Sequence, residues 1–181
     1  MYKGVPVVNF ETHLNTSYQR YINHIEELNA AGKQGNRSGK ALDTLHSAVG
    51  EFFSSYQTEV PVKEIGPLNK RAHRTDLVID GKHGIEVKTF KDSYGKNHGN
   101  HIKHLAGEIL FGGEWDTNSY LYIISAKDWN DTFLKGWKCL IEEKFKNENI
   151  LLCVVRDGKW EFPFRQPSEW LENGPLSENN S

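Results

Sequence analysis

Arg74-Thr-Asp-Leu-Val-Ile-Asp-Gly-Lys-His-Gly-Ile-Glu-Val-Lys-Thr-Phe90 is the stretch on which the fold turns. Leu77-Val78-Ile79 and Ile85-Glu86-Val87 are rich in the branched apolar residues that fit a pleated sheet, and Asp80-Gly81-Lys82-His83-Gly84 between them is rich in turn formers. The pattern predicts a β-hairpin. With its turn centred near Gly81, Asp76 faces Glu86, because residues opposite each other in a hairpin are equidistant from the turn. Side chains alternate along a strand, so Glu86 and Lys88 project to the same side as Asp76, while Ile85 and Val87 point the other way into a core.

Two carboxylates and an ammonium then share one small patch. Neighbouring acids repel unless something positive lies between them, and a divalent cation serves. Mg²⁺, with Mn²⁺ as a substitute, takes hard oxygen ligands and is often held by one or two carboxylates, with phosphate oxygens and waters completing its shell. Asp76 and Glu86 are the candidate metal ligands, and Lys88 is the candidate for orienting or deprotonating a water or stabilising charge on phosphorus oxygens. This donor set suits metal-assisted hydrolysis of a phosphodiester. The bland alternative is a surface ion-pair ladder.

The bulk composition fits a soluble globular chain: 181 residues, 37% hydrophobic and 25% charged, read as a single domain over 1–181. No apolar run is long enough for a membrane span, and the first residues lack the apolar stretch of a secretory signal, so a cytoplasmic location with no membrane partner is expected. Cys139 and Cys153 are too few for a zinc ribbon or a disulfide framework and are expected to be small core residues. Net charge is −2, which argues against a purely electrostatic coat for nucleic acid. Yet Lys63–His104 holds nine Lys or Arg against five Asp or Glu, a net of +4 that leaves −6 for the rest. Basic charge is thus concentrated around the candidate metal site, where a phosphate backbone must lie.

Outward from the hairpin, an amphipathic helix is predicted over Thr16–Ala31, capped by Asn15 or Thr16. It packs on the core or a second subunit, or forms with the next loop an arm that reaches DNA. That loop, Ala31–Gly39, is basic and amide-rich; Lys33, Asn36 and Arg37 are candidate DNA contacts, with an exposed linker as the equal alternative. A second helix is predicted over Ser38–Tyr56, a short strand over Glu59–Ile65, and then a basic approach in which Lys70, Arg71 and Arg74 are candidate phosphate clamps. Beyond Phe90 a polar loop leads to a helix over Asn100–Phe111; Lys96, Asn97, His98 and His101 there are candidate DNA contacts, against a surface histidine cluster or a zinc site. Ser119–Ala126 is a central strand, Asp128–Lys146 a long helix, and Asn149–Val155 and Lys159–Phe164 a final hairpin about Asp157-Gly158. The tail Pro167–Ser181 is expected to fray.

At Asp76 and Glu86-Val87-Lys88 the chain resembles the PD-(D/E)xK nuclease superfamily, the fold group of many restriction endonucleases, in which an acid on one strand is followed by acid-x-Lys on the next. Thr75 stands where the family's motif has Pro, and the acid rather than that residue holds the metal. The predicted order from Ser38 to Ala126, helix-β-β-β-helix-β, is also that of the family's core. The resemblance implies an α/β restriction-endonuclease-like fold with a mixed central sheet flanked by helices. Residues 1–37 add an N-terminal helix and basic loop to the catalytic core 38–126, 127–166 add a helix and hairpin, and 167–181 form the tail. It further implies Val87, through its backbone carbonyl, as a third metal ligand, and Glu51, on the helix before the hairpin, as a catalytic carboxylate. A solvent-facing helix glutamate is the alternative for Glu51.

The expected activity is Mg²⁺-dependent, sequence-specific cleavage of double-stranded DNA, similar to a small type II restriction endonuclease of a restriction-modification system. The small size favours a homodimer, since one domain holds one hydrolytic centre. The alternatives are a structure-selective nuclease, such as a junction resolvase or a repair or transposition endonuclease, and a DNA-binding module without catalysis.

Overall fold

The computed structural model describes residues 7–32, 37–62, 74–90, 98–110, 115–125 and 131–177. Two helices lead, α1 (Val7–Ala30) and α2 (Arg37–Gly50). Phe10, Leu14, Tyr18, Tyr21 and Leu28 line the buried side of α1, and Ala41, Leu45, Ala48 and Val49 that of α2, each at helical spacing. α1 begins well before the predicted Thr16. Thr16 does not cap it: its hydroxyl donates to the Thr12 carbonyl at 3.0 Å, one turn back inside the helix. α2 stops at Gly50 rather than Tyr56, with the chain turning through Phe52 and Phe53, whose N–H groups bond to Val49 and Gly50. The Tyr56 ring lies so close over the Gly50 Cα that a Cβ there would collide with it.

β1 (Tyr56–Pro61), β2 (Arg74–Ile79) and β3 (His83–Phe90) follow, then α3 (His98–Leu110), β4 (Thr117–Ser125), α4 (Asp131–Lys144), β5 (Asn149–Arg156), β6 (Lys159–Glu161) and α5 (Pro167–Glu172). The strands form one six-stranded sheet in the order β1-β2-β3-β4-β5-β6. β3, β4 and β5 are parallel, and the pairs β1/β2, β2/β3 and β5/β6 antiparallel. β1 starts earlier than the predicted Glu59, and the end of that predicted strand, with Lys70 and Arg71, lies outside the described residues.

The β2–β3 turn is centred as the sequence predicts. Leu77 pairs with Ile85, Val78 with Gly84 and Ile79 with His83. Asp80 (φ 52°) and Gly81 (φ 68°) are both left-handed, and Lys82 N–H bonds to Ile79 O at 3.0 Å, closing the turn.

Alternation then divides the sheet into two faces. Leu77, Ile79, Ile85, Val87, Leu121, Ile123, Leu151 and Cys153 pack against α1, α2 and α5. Phe90, Tyr120, Tyr122, Ile124, Ile150 and Leu152 pack against Leu105 of α3 and Trp137 and Ile141 of α4. The result is a mixed α/β fold with helices on both faces. Cys153 is buried as expected, whereas Cys139 is exposed on α4. Among the described residues no helix is long and apolar enough to cross a membrane.

The expected fraying of the tail is corrected by α5. Trp170 is completely buried, stacks on Phe10 at 5.7 Å between centroids and donates its indole N–H to Asn149 O at 3.1 Å. Two apolar residues, Trp170 and Leu171, outweigh the polar composition around them.

Candidate functional site

Asp76, Glu86 and Lys88 occupy the face of the sheet that α3 and α4 cover, at the point where the β2–β3 ladder ends. Beyond Leu77 and Ile85 the regular pairing stops, and the Asp76 side chain takes over as acceptor: its Oδ2 receives the Val87 N–H at 2.9 Å and the Lys88 ammonium at 2.8 Å. Lys88 Nζ also lies 3.6 Å from Glu86 Oε2 and 3.5 Å from Glu108 Oε1. Glu86 and Lys88 sit beside Tyr120 and Tyr122 in the parallel β3/β4 register, and the Tyr122 hydroxyl donates to Glu108 Oε2 at 2.7 Å. Three carboxylates therefore converge on one ammonium. Their side chains are 7–12% exposed and that of Lys88 is 30% exposed, so the lysine stands at the solvent side of the cluster.

The electrostatics follow from three acids sharing one base. Burial raises the Asp76 pKa, but Lys88, His46 and the hydrogen bonds from Lys88 and Val87 outweigh it, so Asp76 stays ionised below its usual range. Glu86 takes the excess proton: burial first, then the Asp76 charge, push it up to about 9. Burial disfavours charge on Lys88, yet Asp76, Glu108 and Glu86 together raise its pKa above the ordinary lysine value. Tyr122, buried and bonded to Glu108, is raised so far that it remains a hydroxyl donor.

Two of these groups were not anticipated. Glu108 follows Leu105 by three residues and so faces the sheet from the buried stripe of α3. His46 lies within the apolar stripe of α2, next to Leu45 and three residues before Val49, and its side chain is 4% exposed. Its Nε2 is 3.3 Å from Val87 O and 3.8 Å from Asp76 Oδ2. A polar side chain on a helix's apolar stripe is the signal that finds both. Glu51 does not enter the cluster. α2 has ended by then, and Glu51 pairs with Arg20 at 2.6 Å in an exposed contact.

Of the candidate DNA contacts, Arg74 is exposed at the first position of β2, opposite Pro61, and by alternation shares the Asp76 face. Arg37 opens α2, His98 opens α3 and His101 follows in its first turn; their side chains are outside the described residues. Lys33, Asn36, Lys70, Arg71, Lys96 and Asn97 lie wholly outside them. Lys103 and His104, also on α3, are exposed.

The oxygen donors around Lys88 are of the type a hard divalent cation takes, while the three groups that the described residues bring within 4.8 Å of one another are Asp43, His46 and Glu59. The donors around Lys88 are carboxylate oxygens, that of Glu86 protonated at neutral pH because it is buried beside the Asp76 charge, with the Val87 carbonyl beside them. Compared with protein-family models, with curated proteins and with solved structures, the chain finds no match.

Proposed function

We propose that this chain is a Mg²⁺-dependent DNA endonuclease of restriction-endonuclease-like fold. The observation that carries the reading is the convergence of Asp76, Glu86 and Glu108 on Lys88 at the mouth of a splayed hairpin in a mixed sheet. The helix-β-β-β-helix-β order from α2 to β4 supports it, with the acids on the second and third strands.

Asp76, Glu86 and the Val87 carbonyl would hold the cation, with Glu108 as a further carboxylate from α3. The cation supplies charge neutralisation for a phosphate and lowers the pKa of a bound water. Lys88 remains an ammonium at neutral pH because the charges of Asp76 and Glu108 outweigh its burial, so it acts as a donor to a phosphorus oxygen or a water and not as the base. Glu86 would have to give up its proton to serve as a ligand. His46, held against Val87 O, and Tyr122, held against Glu108, fix two of the oxygen donors in place.

Sequence-specific cleavage of duplex DNA by a homodimer is the substrate reading we favour. Affinity in a chain of net charge −2 has to come partly from specific contacts. Long linear duplex incubated with Mg²⁺ tests it: discrete fragments identify a sequence-specific enzyme. Cutting confined to branched DNA identifies a structure-selective one, and metal-dependent binding without nicking identifies a binding module.

A further inference from the structure

On the opposite side of His46 from Asp76 lies a second group of donors, of which the nuclease reading uses His46 alone, through its other ring nitrogen. Asp43 and His46 are three residues apart on α2 and so share a side of the helix, and Glu59 reaches them from β1. One carboxylate oxygen from each acid and one ring nitrogen of His46 lie within 4.8 Å of one another.

The histidine shows what the group lacks. A backbone carbonyl only accepts, so the contact of Nε2 with Val87 O places the ring hydrogen on Nε2. Nδ1 is then the ring atom left for a ligand bond. That atom is buried, makes no hydrogen bond, and lies 3.4 Å from Glu59 Oε1, another electron-pair donor. A separation of 3.4 Å is also that of two ligands each about 2.1 Å from one ion at a tetrahedral angle.

Glu59 is also built to reach this point. It has φ 54°, in the left-handed region that a residue with a side chain rarely adopts, and it drops out of the β1/β2 ladder between the pairs Thr58↔Leu77 and Val60↔Thr75. The carboxylate that leaves the sheet there is the one that meets His46.

We propose that Asp43, His46 and Glu59 form a second cation site, for a transition-metal dication of the Zn²⁺ class. One imidazole nitrogen with two carboxylates selects Zn²⁺ or Co²⁺ over Mg²⁺, which prefers oxygen alone and sheds water reluctantly. Three protein ligands leave open positions, and Asp43 is exposed, so the ion exchanges with solvent. Its binding ties β1 to α2 and locks the hydrogen onto the nitrogen that faces Val87 and Asp76. The site stands whether or not the chain cuts DNA.

The test is calorimetric titration of the full chain with Zn²⁺ alone, with Co²⁺ absorption as a second readout. The Asp76→Asn/Glu86→Gln chain removes the other cluster and should still bind one Zn²⁺, at least tenfold tighter than Mg²⁺. Adding Asp43→Asn, an exposed change that leaves packing alone, should weaken that binding at least tenfold and alter the Co²⁺ visible bands. Absence of Zn²⁺ binding in the Asp76→Asn/Glu86→Gln chain overturns the proposal, as does binding indifferent to Asp43→Asn. If the double variant does not fold, Asp43→Asn in the otherwise unchanged chain decides: loss of one Zn²⁺ supports the site, and unchanged stoichiometry overturns it.

Discussion

Lys88 donates to Asp76 Oδ2 across 2.8 Å, from the neighbouring strand, at the position where the hairpin ladder gives out. The ammonium serves as the positive centre for Asp76, Glu86 and Glu108 together, which is the role a bound dication would share. A dication bound there would compete with Lys88 for the same acids.

Replacing Lys88 by Ala separates those roles. Cleavage should fall at least about 100-fold, the usual cost of removing one preorganised charge from a transition state. Mn²⁺ affinity measured by calorimetry should be equal to or tighter than that of the unaltered chain, because a competing cation has gone. A variant that cuts at the original rate, or one that loses metal binding while still folded, contradicts the roles given to Lys88.

The proton on Glu86 gives the metal-free protein an unusual pH profile. The folded pKa, about 9, lies above the ordinary value of 4.5, so the folded state holds a proton that the unfolded chain releases. That contribution is complete below about 4.5 and is lost as pH rises toward about 9. Asp76 has the opposite sign, its contribution lost only as pH falls through its depressed pKa, and leaves this window untouched. Thermal melts in EDTA should lose stability from pH 5 to pH 9 more steeply in the unaltered chain than in Glu86→Gln, and Mg²⁺ should flatten the difference. Identical slopes for the two proteins in EDTA refute the assignment.

Glu108 is a test of what α3 contributes. In Glu108→Gln the amide oxygen still accepts from Tyr122, so the fold should persist with a melting temperature within a few degrees of the original. Metal-dependent cleavage should drop about 10–100-fold through the weakened oxygen set. A variant with full activity removes Glu108 from the site and leaves it as a structural partner of Tyr122.

Much of this architecture is legible in the sequence where local rules act alone. The hairpin register followed from one turn centred on Gly81, because Asp80-Gly81 tolerate left-handed backbone geometry, and that register set Asp76 and Glu86 on one face. Element ends were less legible. Thr16 reads as a cap but bonds within its own helix, and α2 ends at Gly50 because tertiary contact with the Tyr56 ring decides it. That early end also withdraws Glu51 toward Arg20. His46 and Glu108 needed the converse reasoning, that a polar group on a buried stripe has a partner across the sheet. Sequence periodicity names the stripe but not what faces it.

The C-terminal segment makes a separate prediction about stability. Trp170→Ala removes a fully buried indole stacked on Phe10 and orphans the Asn149 carbonyl, and should cost about 3–5 kcal/mol in chemical denaturation. A loss below about 1 kcal/mol would show α5 to be an appendage after all.

The most direct test of the central claim is incubation of the purified chain with long linear duplex DNA in Mg²⁺ and in EDTA, beside the Glu86→Ala variant. Discrete fragments that require the metal and disappear in the variant are expected. Intact duplex and intact branched DNA under every metal condition would contradict it.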